Sequence, residues 1–332
     1  MQPRDKIDHY VSALRHVFKL APDKHEAHRR SRSILEDMAN DPGFLPALLA
    51  RLVDVPGTFA RKHYPVVGYE LELNEDFALA MNGWVPLPGR ETDIATKAIH
   101  HHGNMLLTTT TAFGPGYEHW TFTTPKLVDA ERELFEMKVT ERAAHPLHHT
   151  AFVDHHIPHL PIYPADLSVT LALWSNRFPT GWRDRLKRVP LLQRNTKVLR
   201  DVVSRLGLAG AFDLKVIEYF DFFPLESGGF RGMRERQEFP LGPNADFLHS
   251  LFHVIQGTGN EGLAPAVRRR LEAEPLENRS VALGLLADLE NGVPIAGRFS
   301  AGHTGVLHAN FRTSEIERAL APADAPRLLV TA

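Results

Sequence analysis

The chain contains no cysteine. Disulfides, thiolate nucleophiles, cysteine-ligated iron–sulfur clusters and thiolate zinc sites are excluded together, so any metal must be held by nitrogen and oxygen. A charge excess is also missing: 38 Lys and Arg stand against 40 Asp and Glu, a net charge of −2 with histidine neutral. There is therefore no electrostatic footprint for a nucleic-acid backbone or an anionic membrane. No apolar run approaches the ~20 residues that span a bilayer. Met1 to Leu20 mixes Arg4, Lys6, Asp8 and Arg15 with apolar residues and has no secretory core. These absences predict a soluble, cytoplasmic chain that engages neither nucleic acid nor membrane. With 43% hydrophobic and 23% charged residues, the composition is that of a folded protein rather than a disordered one.

What the chain has in excess is histidine. Ten of its 19 histidines fall between His100 and His159, where an even spread would place about three. Such local enrichment in imidazole, the commonest side-chain metal ligand, points to a site.

The hydrophobic pattern divides the chain into three stretches. In residues 1–60, Ile7, Tyr10, Val11, Leu14, Val17 and Phe18 recur at helical steps, and two further helices follow Asp23 and Pro42-Gly43. This N-terminal extension can serve as a cap or as a homodimer surface. From Tyr64 the period shortens to that of strands, predicted at Val67–Leu73, Phe77–Met81, a segment ending near Ile99, Met105–Thr111, Glu118–Thr123, Glu133–Thr140, Thr150–His155 and Leu167–Trp174. Many short strands at this spacing predict a sandwich, jelly roll or barrel over residues 61–180. Residues 181–332 read as a mixed extension packed on that core. Its predicted elements are a basic helix over Asp184–Leu206, a strand within Phe212–Phe223, another near Glu238–Leu241, and helices over Asn244–Ile255, Pro265–Glu274 and Glu277–Asn291.

The motif that carries chemistry is Ile99-His100-His101-His102-Gly103. On a strand, residues i and i+2 share a face, so His100 and His102 project together while His101 points away. A third ligand has to come from a neighbouring strand. His159 of Ile157-Pro158-His159 is the candidate, with His155, His156 and His119 as competitors for that place.

These residues resemble the cupin superfamily, whose first motif is a strand-borne His-x-His and whose second is a later histidine, often preceded by proline. Residues 99–103 (IHHHG) resemble the first motif. Residues 155–175 (HHIPHLPIYPADLSVTLALWS) resemble the second with the strand that follows it. The preceding segment 77–89 is similar to the thiol-dioxygenase branch. The resemblance covers roughly residues 64–176 and implies a mainly β fold, a cupin-like small β-barrel (jelly roll) with helical N- and C-terminal extensions. It also implies a three-histidine iron centre similar to that of cysteine dioxygenase. Three features depart from the pattern. The glutamate usual in the first motif is replaced by Leu106 and Leu107, no arginine stands in Tyr69–Leu73 to clamp a substrate carboxylate, and a Cys–Tyr crosslink is impossible.

The resulting expectation is a metal-dependent oxidoreductase of the dioxygenase kind, acting with O2 on a small metal-chelating substrate. Its metal is Fe(II), with Mn, Ni, Cu or Zn as the other divalent options that nitrogen ligands suit. The ligands are His100, His102 and His159. His119 is a candidate acid/base residue and Tyr163 a candidate hydroxyl donor. Arg231 and Arg234 lie in a Gly-rich segment suited to an anion clamp. The alternatives are a non-redox cupin enzyme (isomerase, decarboxylase or hydrolase) and a non-catalytic ligand-binding cupin. His249 and His253 share a helix face without the glutamate of an HExxH zinc motif, since position 250 is serine, and read as structural.

Overall fold

The computed structural model describes residues 3–64, 66–87, 93, 95, 98–175, 220–233, 241–299 and 312–321. The predicted helix Asp184–Leu206 and the candidate clamp residue Arg234 lie outside the described residues, as does most of the predicted strand at Glu238–Leu241.

Three helices open the chain, α1 (Pro3–Leu20), α2 (Lys24–Asn40) and α3 (Phe44–Asp54). Helix α2 begins where Asp23 accepts a hydrogen bond from the amide of Glu26, which satisfies one of the otherwise unpaired first-turn donors. Among the described residues thirteen strands follow in chain order: β1 (Val66–Leu73), β2 (Phe77–Trp84), β3 (Ile99–His101), β4 (Leu107–Phe113), β5 (Tyr117–Phe122), β6 (Lys126–Asp129), β7 (Leu134–Glu136), β8 (Val139–His145), β9 (Thr150–Val153), β10 (His159–Pro161), β11 (Ser168–Ser175), β12 (Phe220–Pro224) and β13 (Phe230–Met233). They form two antiparallel sheets, a five-stranded one in the order β1-β2-β11-β4-β9 and an eight-stranded one in the order β6-β7-β13-β12-β3-β10-β5-β8. Helices α4 (Asn244–Gly257), α5 (Ala264–Ala273), α6 (Arg279–Glu290) and α7 (Thr313–Leu320) come last. The fold is a cupin-like double-sheeted barrel with helices at both ends of the chain. Among the described residues no helix is long and apolar enough to cross a membrane.

Period-two alternation assigns each sheet an outer and an inner face. On the five-stranded sheet, Phe77, Leu79, Met81, Val169, Leu171 and Leu173 face outward. They share one apolar core with Ile7, Leu14 and Phe18 of α1, Leu48 and Leu52 of α3, and Phe247, Leu251 and Phe252 of α4. The run of four threonines divides between the two faces. Outward, Thr108 shares a hydrogen bond with Nδ1 of His28 on α2 (2.7 Å) and Thr110 one with Thr150 (2.8 Å). Inward, Thr109 lies 3.3 Å from the Tyr117 hydroxyl and Thr111 donates to the His145 carbonyl (2.8 Å). The outer face of the eight-stranded sheet is a second core, in which Ile99, Trp120, Leu160, Phe222 and Phe230 pack on Ile316 and Ala319 of α7.

Two differences from the predicted elements have physical causes. The run Glu133–Thr140 is two strands, because β7 pairs with β6 and β13 whereas β8 pairs with β5. One continuous ladder cannot serve both sets of partners. The C-terminal stretch also contributes to the barrel itself, since β12 hydrogen-bonds to β3 with Asp221 opposite His100.

Candidate metal centre

Strands β3 and β10 run antiparallel with His100 opposite His159, so their imidazoles rise from the same inner face. His102 lies just past the end of β3. A turn follows it at once, closed by the Met105 amide on the His102 carbonyl (3.1 Å), and Gly103 adopts the left-handed conformation that this turn requires (φ +59). The three rings meet with centroids 4.9 Å (His100–His102), 4.3 Å (His100–His159) and 4.8 Å (His102–His159) apart. One nitrogen from each lies within 4.8 Å of the others. His100 and His159 are buried and His102 is half-buried.

The orientation of two of the rings is fixed by the main chain. Nδ1 of His100 donates to the Ala98 carbonyl (2.9 Å) and Nδ1 of His159 to the Ile157 carbonyl (3.2 Å), each acceptor two residues upstream. This sets the tautomer so that Nε2 carries the lone pair, the usual arrangement of a metal-ligating histidine. The donor set therefore fits a divalent transition metal: three neutral imidazoles converge, and among the described residues no carboxylate joins the group. Where a first-motif glutamate would stand there is apolar wall instead. Leu107 is buried in a cluster with Val153 and Ala172, against which Ile157 and Trp174 pack. Trp174 meets the His102 ring edge-on at 6.3 Å.

Each of the other sequence-derived candidates has a definite place. His119 is on β5, its ring 5.3 Å from that of His159, near the triad but outside its donor group. Burial, together with His159 and His145, holds His119 well below the ordinary imidazole range. His145 lies beside it (5.1 Å) and is held down to about 4 by burial. Its Nδ1 is buried without a hydrogen-bond partner among the described residues. Tyr163 is buried with Leu87, edge-on to Trp84 at 6.5 Å, and burial raises its phenol well above the usual value. Trp84 in turn lies against Tyr117 (5.3 Å), so aromatic side chains of the two sheets meet in the barrel interior. Arg231 is exposed on β13, on the same sheet face as Asp221 and His100 but two strands away from His100. His155 and His156 sit on the exposed turn after β9 and do not join the triad. Asp154 bonds there to His155 and His25. On α4, Nδ1 of His253 bonds to the Ile295 carbonyl (2.6 Å), a packing role.

Sequence reasoning missed Asp221, Trp84, Trp174, Tyr117 and His145. Asp221 is buried and in register with His100, which places its carboxylate on the triad's face of the sheet. Its only sequence signal is a lone acid within the apolar run 219–223.

No protein-family model matches the sequence, and no curated protein does. Among solved structures, TT1209 from Thermus thermophilus is 13% identical, over 35% of this chain and 90% of that one, with a TM-score of 0.24. An RmlC-like cupin from Shewanella frigidimarina NCIMB 400 is 11% identical, over 32% and 73%, with a TM-score of 0.20. A chain from the crystal structures of the DMSP lyases RdDddP and RnDddQII is 14% identical, over 53% and 94%, with a TM-score of 0.28. Likenesses of this extent carry no argument about activity. The assignment of a cupin-like barrel rests on this chain's own strand order, register and inward-facing histidines.

Proposed function

We propose that the protein is a metal-dependent oxygenase that acts on a small, metal-chelating organic substrate, with Fe(II) held by His100, His102 and His159. The observation that carries this reading is the donor group, three imidazole nitrogens joined by no carboxylate among the described residues, with His100 and His159 buried and His102 half-buried. Iron held there would supply one-electron redox chemistry and Lewis acidity toward substrate and O2. Neutral ligands leave the ion's charge undiminished, so a substrate bearing anionic oxygens pairs best with it.

The remaining roles belong to the chain itself. The Ala98 and Ile157 carbonyls hold two ligand rings in one tautomer and one direction. Leu107, Val153, Ala172 and Trp174 form a dry wall that excludes water and strengthens every polar contact inside. His119, kept neutral by burial, accepts or returns a substrate proton. The Tyr163 phenol stays protonated and serves as a hydroxyl donor. Arg231 and Arg234 are proposed to meet the substrate's anionic end.

The ring contact between His119 and His159 also favours a second reading. In it the ion acts only as a Lewis acid, and His119 is the base of an isomerase, decarboxylase or hydrolase. Elemental analysis of the purified protein beside His100→Ala and His159→Ala tests the centre: iron in the parent and its loss from both variants support it, and equal metal in all three removes it. An oxygen electrode separates the two chemistries. Turnover undiminished without O2 eliminates the oxygenase and leaves the Lewis acid.

A further inference from the structure

A second convergence of ligand-type side chains lies outside the barrel. His25, on the first turn of α2, faces Asp154 and His155 on the turn after β9, 129 residues away in sequence. Nε2–H of His25 donates to Asp154 Oδ1 (2.9 Å), Nδ1–H of His155 donates to the same oxygen (2.5 Å), and one donor atom from each residue lies within 4.8 Å of the others. The rings of His25 and His155 stand edge-to-face, 5.7 Å apart. All three side chains are partly open to water.

We infer that this cluster is a second, surface metal site, which takes a borderline divalent cation such as Zn2+ and clamps α2 to the turn that leads into β10. The donors are two imidazoles and a carboxylate, a set that suits Zn2+ with water completing the shell. On binding, each neutral ring shifts its proton through water to its other nitrogen, so that His25 Nε2 and His155 Nδ1 offer lone pairs to the ion, while Asp154 exchanges the two ring hydrogen bonds for one metal–oxygen bond.

The turn is built to hold this position. His156 adopts a left-handed backbone (φ +56), unusual for a residue with a side chain. It is held there by its amide on the Gly103 carbonyl (2.8 Å) and by its Nε2 at Asn104 Oδ1 (2.9 Å). From the α2 side, Lys24 donates to the Asn104 carbonyl. Its ammonium opposes a nearby cation, and the Asp154 carboxylate offsets that charge. Pro158-His159 follows the turn directly, so an ion here restrains the segment that delivers one of the barrel's three imidazoles. The site does not depend on the proposed oxygenase activity.

Co2+ titration, with bound metal counted per chain and the visible spectrum recorded, tests the proposal. The chain carrying His100→Ala and His159→Ala keeps one Co2+ per chain, and adding His25→Ala to it weakens that binding by at least about tenfold. If removal of the barrel imidazoles unfolds the chain, the wild type is compared with its exposed single variants His25→Ala and Asp154→Asn, in which the Co2+ count falls by one. Backbone amides 154–157 exchange more slowly when Zn2+ is added to the wild type and not when it is added to Asp154→Asn. A Co2+ count in His25→Ala and Asp154→Asn equal to that of the wild type, or Zn2+ slowing amides 154–157 as much in Asp154→Asn as in the wild type, overturns the proposal.

Discussion

The protein places imidazoles in two contrasting settings. Inside the barrel, His100, His102 and His159 form a donor group that no carboxylate joins among the described residues, and two of them are aimed by main-chain carbonyls of their own segments. On the surface, His25 and His155 are aimed by a carboxylate, Asp154, and each lies open to water. The difference is one of environment acting on the same side chain. Burial is the largest cause holding His145 at about 4 and His28 at about 3, so those rings stay neutral and keep a lone pair to offer.

The strongest way to break this contrast is His159→Ala. Metal affinity at the interior site is expected to fall by at least about 100-fold, since even outer partners of ligands cost 10–100-fold. Elemental analysis of the purified variant beside His25→Ala, which should retain its iron, decides the matter. Iron retained by His159→Ala would show that the barrel rings do not hold it.

Acid comes next. His145 is held at about 4 and His28 at about 3, both by burial, against about 6.5 in the unfolded chain. Between those values the unfolded state binds protons that the folded state refuses, so stability falls as pH drops below 6.5. The upper bound is about 1.4 kcal/mol per pH unit for each histidine. The effect begins above the range in which Glu26 and Asp154, carboxylates held below their usual values, lose charge. Urea melts that are flat from pH 6.5 to 4.5 would contradict buried neutral rings.

A smaller change tests the interior wall through the backbone. Gly116 precedes β5 with φ +77, and a Cβ there would lie 1.8 Å from the His145 carbonyl oxygen. Gly116→Ala is expected to cost about 2 kcal/mol in urea unfolding through strain at a left-handed position and displacement of β8. An unchanged midpoint would mean that β8 moves freely. Smallest of all, His25→Ala in metal-free protein is expected to change stability by no more than about 0.5 kcal/mol, because an exposed ion pair is screened by water. A loss several times larger would mean that the surface cluster is a structural anchor even without an ion.

Much of the interior site was legible in the sequence because its rules are local. A strand puts His100 and His102 on one face, and Pro158 before His159 marks the start of another strand. The helices at both ends could be read from three- and four-residue apolar steps, as in α1, where Ile7, Val11, Leu14 and Phe18 are all buried. What escaped the sequence depends on pairing between distant strands. Nothing near Asp221 says that it stands opposite His100, and nothing in the run Glu133–Thr140 says that its halves serve different neighbours. Trp84 and Trp174 read as core residues in strands. Only the meeting of the two sheets brings Trp84 against Tyr117 and Trp174 against His102. His25 and Asp154 are separated by 129 residues and are joined by the docking of α2, which no local pattern encodes.

The hydrogen bonds from His100 to Ala98 and from His159 to Ile157 have a further consequence. Each of these two rings takes its bearing from a peptide group two positions earlier, so part of their aim is written into the backbone. Neighbouring side chains can drift in evolution, or be redesigned for a new molecule, while the direction of these two imidazoles survives.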